Sequence, residues 1–502
     1  MTVAGPNKVA ALTVDENTPL LVTSEADLKT RPNEEPAPTP RNGHTNGDDE
    51  DADRPLPAFQ ILVLCFARLI EPFAFFGIFP FINKMIWETG GLDEADVGFY
   101  SGQIESSFSL TQMFLMISWG RAADRIGRKP VLVFSLAGIS IATAIFGLSK
   151  SIPQMVIFRC CSGIFAGTVL TIRAMITENS TPRTQARAFS FFAFSGNLGM
   201  FLGPLLGGVL SSPAEQYPDV FGRFAFLKEF PYALPTFVNG MIAAVATIIC
   251  GLFLQETLKK KDKSDGEREV PMSAWEIVKS PGVPIVLYLY GHTMLLGSAL
   301  TAVSPVFWFT HPELGGYGFS PMQISLFMGS IGISQSIWLL LVFPPLQHAI
   351  GTGGVLRLCF YVWPIFFLSS PLCNMFLRKG WYTAFWIVAP VFQIGGSGVA
   401  MAFTGVQLAL NDITPNYQTL GTLNAIALTL TSGIRTIGPA AFTSLFAVGA
   451  RTQIFDGYLV WVVLVAIASL GTFLIRYLPE KAEGRQKKIE GVIVVGGVID
   501  EE

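Results

Sequence analysis

The sequence predicts an all-α polytopic membrane protein of twelve transmembrane helices arranged as two related six-helix bundles. Three observations predict it. Half of the 502 residues are hydrophobic and only 14% are charged, where a soluble chain carries about 25%. Apolar runs of roughly 20 residues, enough to cross a bilayer, recur along the chain. Short motifs from the first half also return in the second, in the same order.

The apolar runs fall at 59–87, 97–119, 130–149, 154–177, 188–210, 232–254, 283–310, 322–346, 354–377, 382–410, 418–448 and 457–478. Mean hydropathy is +0.47. The 41 Phe and 49 Gly fit helices in lipid, where Gly permits close packing. An even number of spans places both termini on one side, and basic residues choose that side. Arg121, Arg125, Arg128 and Lys129 lie between spans 2 and 3, and Arg183 and Arg187 follow span 4. Lys259, Lys260, Lys261, Lys263 and Arg268 follow span 6; Arg476, Lys481, Arg485, Lys487 and Lys488 follow span 12. These connections share one side, which is expected to be cytoplasmic. Arg223, Lys228, Arg378 and Lys379 are exceptions on the other side.

Residues 1–56 are polar, Pro-rich and acidic, and read as a disordered cytoplasmic tail rather than a signal peptide. Within it, Glu16, Leu20 and Leu21 fit an acidic dileucine pattern that a sorting adaptor could read. The expected organisation continues with a six-helix bundle at 57–254, a cytoplasmic loop at 255–282, a second bundle at 283–478 and a cytoplasmic tail at 479–502. Duplication supports the division. Glu178-Asn179-Ser180-Thr181-Pro182 stands between spans 4 and 5, and Asn411-Asp412-Ile413-Thr414-Pro415 between spans 10 and 11. Gly203-Pro204 and Gly438-Pro439 follow them, and Ile126-Gly127 is matched by Ile350-Gly351. Parallel repeats of this kind place a substrate site between the halves near the midplane.

Several function classes are excluded. A net charge of -3 without a basic stripe does not suit nucleic acid. Cys65, Cys160, Cys161, Cys250, Cys359 and Cys373 all lie in apolar runs and read as membrane-buried small residues. Of four His, only His292 is well inside a span, so no metal site is expected. No Walker loop, catalytic set or cofactor motif stands out, so neither an enzyme nor an ATP-driven pump is expected.

The connection between spans 2 and 3 reads Trp119-Gly120-Arg121-Ala122-Ala123-Asp124-Arg125-Ile126-Gly127-Arg128-Lys129. It resembles the hallmark loop of the major facilitator superfamily. Physically it reads as a tight turn rimmed by charges that can pair with helix ends of the other half and so gate one face. Arg159 and Gly163 in span 4 resemble the superfamily's Arg-x-x-x-Gly element. Gly199, Gly203, Pro204, Gly207 and Gly208 in span 5 resemble the antiporter motif of drug/proton exchangers. Glycines at helical spacing make a smooth packing face, and Pro204 bends the helix.

The likeness narrows to the zinc-induced-facilitator-like subfamily, in its fungal form. That subfamily's Trp-Gly-x-x-x-Asp-Arg-x-Gly-Arg-Lys loop is met by Trp119 to Lys129. Its span-5 Ser ahead of the first Gly is met by Ser190, and its element after span 6 by Gln255-Glu256-Thr257-Leu258. Lys259 stands where the subfamily has His, and its Cys-x-Gly-Cys element is absent. The resemblance covers about residues 56–480 and implies a major facilitator fold.

Ionisable residues inside spans are costly and therefore candidates for function. Arg68 and Glu71 lie three apart in span 1 and can pair; the pair is either structural or functional. Glu105 in span 2 has no basic residue within a turn, and its span should line the cavity. Burial favours the neutral carboxyl and an approaching arginine favours the carboxylate, so such groups can load and release a proton. Glu105 and Glu71 are the candidates to carry it. The resemblance makes Arg159 the group that modulates release. It also marks Arg173 and Arg435 as positions that could hold an anionic substrate group. His292 is a further substrate candidate or a hydrogen-bonded core residue. Gly120, Asp124, Arg125, Gly127, Arg128, Glu178 and the span-5 Gly and Pro residues are expected to serve the gate.

The reading is a secondary active transporter, a proton-coupled efflux antiporter of a small organic molecule such as a metabolite or drug. It is expected to act as a monomer in the plasma membrane, with the vacuolar membrane as the alternative. The rival readings are a facilitative or proton-coupled importer of a polar nutrient and a non-transporting membrane receptor.

Overall fold

The structure is a computed structural model, and it describes residues 55–258, 273–415 and 419–484. The proposed sorting motif at Glu16, Leu20 and Leu21 lies outside them, as do Lys259, Lys260, Lys261, Lys263, Arg268, Arg485, Lys487 and Lys488. Among the described residues there is no strand.

Twelve helical segments carry the labels used below. They are α1 (Ala58–Gly90), α2 (Val97–Ile126), α3 (Arg128–Phe146), α4 (Ile152–Glu178), α5 (Pro182–Leu210) and α6 (Ala233–Phe253). After them come α7 (Val283–Phe309), α8 (Pro321–Ile337), α9 (Phe343–Arg378), α10 (Tyr382–Asp412), α11 (Leu420–Thr452) and α12 (Leu459–Leu474). Length and apolarity alone mark nine stretches among the described residues as able to cross a membrane. Three features account for the difference from the expected twelve. One stretch, Pro321–Arg378, runs 58 residues; α8 passes into α9 through a π-helical segment at Trp338–Val342, and the chain breaks within α9 at Gly351, where φ is 75°. The α2 and α11 helices are long enough but carry too many polar residues to be marked.

The polar motif after span 2 is not the tight loop that the sequence suggested. The α2 helix runs on through Gly120 and Arg125 to Ile126, because Arg and Ala are strong helix formers. The chain turns at a single residue, Gly127, whose φ of 121° is open to glycine but rare for other residues. Gly351 has φ 75° and occupies the matching place in the repeat. Thus the repeated Ile-Gly pairs mark the same backbone break.

Close helix contacts explain the glycines of α5. A Cβ at Gly199 would lie 2.5 Å from the Leu69 carbonyl oxygen, and one at Gly203 would lie 2.6 Å from that of Phe73. A Cβ at Gly207 would strike the Gly77 carbonyl. These residues make α5 the bed on which α1 lies. Gly208 faces the other way, where a Cβ would meet Ser325 and the Pro321 carbonyl of α8.

The four buried apolar clusters respect the central connection. Two are built from residues between Ile61 and Leu254, and two from residues between Ile277 and Ala482. Contacts across that connection are made where α2 meets α11 and α5 meets α8. Gly98 lies against Thr443 and Ala447, and Gly102 against Pro439, Ala440 and Thr443. The Ser106 hydroxyl accepts the Ala440 N–H at 3.1 Å. Nearby, Arg451 pairs with Asp96 at 3.4 Å, and the His311 N–H reaches Glu94 at 2.5 Å. All these contacts lie at the α2 N-terminal end, away from the Gly127 turn.

The packing makes a direct prediction. Gly203→Leu forces a branched side chain into the α1 backbone, and overpacking costs about 1–3 kcal/mol or more. It should lower the melting temperature of the detergent-purified protein by several degrees. Gly251→Leu, where a Cβ meets nothing within 4 Å, should leave it nearly unchanged. Equal melting temperatures for the two variants would contradict the α1–α5 geometry.

Candidate functional site

The charged residues predicted inside the spans fall into two groups and one outlier. The first group gathers around Glu71. Its carboxylate accepts hydrogen bonds from Gln112 Nε2 at 2.8 Å and from the Thr168 hydroxyl. Gln112 also donates to the Ala166 carbonyl at 2.9 Å, which fixes its amide. The expected Arg68–Glu71 ion pair is not formed among the described residues. Arg68 instead lies over the Phe192 ring, 4.8 Å from its centroid, with its Nε buried and unpartnered. The reason is geometric: Gln112 of α2 and Thr168 of α4 already occupy Glu71.

Arg173 of α4 lies over the same Phe192 ring, at 5.4 Å. Arg68, Arg173 and Arg435 each stand within electrostatic reach of Glu71. Tyr290 of α7 interacts with Arg173 and Arg435. Arg435 is surrounded by the fold, yet its side chain is open to solvent, as is that of Arg173. Both guanidiniums are therefore accessible rather than packed into the interior. The α2–α11 contact lies at the other end of α2 from the Gly127 face.

The second group is Glu105 and Arg159, which are 2% and 3% exposed. They interact electrostatically without forming an ion pair among the described residues. Arg159 Nη2 donates to the Phe75 carbonyl at 3.0 Å. Its guanidinium lies 4.8 Å from the centroids of both Phe75 and Phe108. One Glu105 oxygen and Arg159 Nε have no hydrogen-bond partner. Glu105 belongs to a span expected to line the cavity; its own carboxyl is sealed between helices.

His292 is the outlier. Its ring stacks on Phe360 at 5.9 Å, its Nδ1 is 3.4 Å from the Tyr288 hydroxyl, and Gly471 leaves room for it. It packs toward α9 and α12 and is not brought to the arginines. The core alternative describes its surroundings.

The gate residues form a network on the Gly127 face. Arg128 pairs with Asp124 at 2.7 Å and with Glu178 at 3.2 Å. Glu178 accepts the Thr257 hydroxyl at 2.5 Å. Glu256 accepts the N–H groups of Arg128 at 2.9 Å and Lys129 at 3.1 Å. Gly127 leaves the space for that carboxylate, since a Cβ there would lie 2.5 Å from it. The sequence suggested pairing with helix ends of the other half. Every partner lies instead between residues 124 and 258, as expected of a face whose two sides stand apart. Gly120 and Arg125 are not part of the network; a Cβ at Gly120 would meet nothing, and the Arg125 side chain is exposed.

Sequence reasoning missed Gln112 and Thr168, which hold Glu71, and Phe192, which two guanidiniums cover. A polar amide inside span 2 was the available signal for Gln112. It also missed Glu94, Asp96 and Arg451 at the opposite rim, which read as ordinary connection residues.

Glu256 makes a pH prediction. Burial works to raise its carboxyl, but the N–H groups of Leu258, Arg128, Lys129 and Thr257 outweigh this and hold it below the usual carboxylate range. A group depressed in the folded state stabilises above its unfolded value, about 4.3, and loses that contribution as pH falls through the folded value. Glu256→Gln should therefore melt below the wild type at pH 7. The gap should narrow as pH drops below about 4. A gap that stays constant with pH would mean that the charge of Glu256 is not what holds the turn.

Comparison with known proteins places the fold in a family. The family model described as Major Facilitator Superfamily matches residues 64–439. The chain is 49% identical over 431 residues to "Efflux pump azaK" of Aspergillus niger, covering 86% of this chain and 90% of that protein. It is 28% identical to "Protein ZINC INDUCED FACILITATOR-LIKE 1" of Arabidopsis thaliana, covering 85% of this chain and 91% of the relative. Among solved structures, one described as a D-xylose-proton symporter superposes with a TM-score of 0.63 at 14% identity. That match covers 85% of this chain and 99% of the other, and at that identity it speaks for the fold alone.

Proposed function

The chain belongs to the major facilitator superfamily, a family of membrane transporters rather than enzymes, and from that premise we propose that it exports a small organic molecule in exchange for protons. The observation that carries the proposal is the sealed pair Glu105 and Arg159. A carboxyl group and a guanidinium, both at 3% exposure or less and not in contact, are an unstable arrangement unless the proton count can change. The efflux pump at 49% identity supports the outward direction.

The cycle follows from electrostatics. A carboxyl cut off from water favours its neutral form, and a guanidinium moved against it favours the ionised one. Glu105 takes a proton while the pair is apart and gives it up when Arg159 closes on it. Arg159 is held only by the Phe75 carbonyl and two ring faces, which leaves its remaining N–H groups free to turn. Glu71, tied to Gln112 and Thr168, is the second carboxylate and belongs to the substrate space.

Alternation rests on the two faces. Basic residues assign the Gly127 face to the cytoplasm. The α2–α11 contact closes the external face, so the conformation is open inward. In the outward-open state the Asp124, Arg128 and Glu178 network would meet the second half, and the Glu94 and Asp96 rim contacts would part. The halves at 57–254 and 283–478 move against each other, each with its own core. The plasma membrane is the proposed site, and the chain acts as a monomer.

The test uses reconstituted protein and a panel of anionic, neutral and cationic fluorescent dyes. An imposed proton gradient should drive at least one dye uphill, and an uncoupler should abolish that movement. Glu105→Gln, which mimics the neutral acid, should keep counterflow of the same dye but lose uphill movement. Dye movement insensitive to the uncoupler would favour the facilitative carrier, and binding without movement a receptor. Uphill transport by Glu105→Gln would move the proton site elsewhere, with Glu71 next.

A further inference from the structure

Arg68, Arg173 and Arg435 present three guanidiniums around the single carboxylate of Glu71. Three positive charges against one negative leave an excess of two, in the part of the molecule where uncompensated charge is most costly. No carboxylate forms an ion pair with any of the three among the described residues, and Arg68 Nε is buried without a hydrogen-bond partner. The described residues do not supply the missing counter-charge.

The way these arginines are held sharpens the point. Arg68 and Arg173 lie over one Phe192 ring, at 4.8 and 5.4 Å. Cation–π contact uses the flat face of a guanidinium and leaves its N–H edges free. Those edges are the surface that forms paired hydrogen bonds to carboxylate, sulfate or phosphate oxygens. Arg435 comes from the other half of the chain and its side chain is exposed. Tyr290 beside it adds a hydroxyl from α7.

We propose that this cluster is the substrate subsite for an organic anion, gripped from both halves by Arg68, Arg173 and Arg435. The inference rests on the transporter reading above and names its substrate class. Glu71 sits inside the cluster and tempers it, so that the anion is held but not trapped. Its hydrogen bonds from Gln112 and Thr168 keep the carboxylate from closing onto any one arginine.

Two dyes on the same fused ring system test it: fluorescein, an anion, and rhodamine 6G, a cation. Purified full-length protein in detergent is titrated with each, with protein-free micelles as the blank and fluorescence polarisation as the readout. The wild type should bind fluorescein and leave rhodamine 6G free. Arg173→Gln and Arg435→Gln should each weaken fluorescein binding about tenfold or more, the loss expected for a charge-assisted contact, and Arg435→Lys should recover part of it. Preference for rhodamine 6G, binding of neither dye, or unaltered fluorescein binding by both Gln variants overturns the assignment. The dye preference of the wild type needs no variant to fold. Fluorescein that binds but never crosses a proteoliposome membrane counts against the transport reading and leaves the anion subsite standing.

Discussion

The contact between α2 and α11 is the constraint on which the rest depends. Gly98 and Gly102 let the two backbones approach until only Thr443, Pro439, Ala440 and Ala447 stand between them. Farther along α11 Arg435 is exposed, and at the far end of α2 Asp124 and Arg128 find partners in their own half. Adding a side chain at either glycine would push these two helices apart. The polarity that keeps α2 and α11 from reading as ordinary spans has the same origin: their small and polar faces are turned toward one another and toward water, not toward lipid.

Much of the fold was legible in the sequence because the bilayer imposes it. Apolar runs report the thickness of the slab, so the all-helical class and the order of the helices could be read directly. What hydropathy does not report is where a helix ends in water. The apolar run of span 2 stops at residue 119, while the helix continues to Ile126. The repeated Ile-Gly pairs were visible as letters, and the positive φ of Gly127 and Gly351 gives them a physical meaning.

The candidate site was legible as a set of residues but not as an arrangement. A charge inside a span announces itself, so Glu71, Glu105, Arg159, Arg173 and Arg435 could all be named in advance. Their partners could not, because helical spacing ranks neighbours on one helix and is silent about others. Arg68 and Glu71 have the spacing of a pair, yet Glu71 turns to α2 and α4, while Arg68 turns to α5. Likewise Glu105 had no basic neighbour along its own helix, and Arg159 reaches it from α4. His292 shows the reverse case: position inside a span did not distinguish a core histidine from one that faces the open space.

The rim opposite the Gly127 face joins the two sides of the molecule with two unlike fasteners. Glu94 grips a backbone N–H of His311, whereas Asp96 meets the exposed side chain of Arg451. Dissolved salt screens the second, since its arginine stands in water, and touches the first far less. A surface ion pair of this kind is worth about 1 kcal/mol or less, which caps its leverage on a two-state balance at roughly fivefold. The ionic strength on that side of the membrane thus becomes an input to the balance between the carrier's two orientations, weak and graded, and independent of whatever the carrier transports.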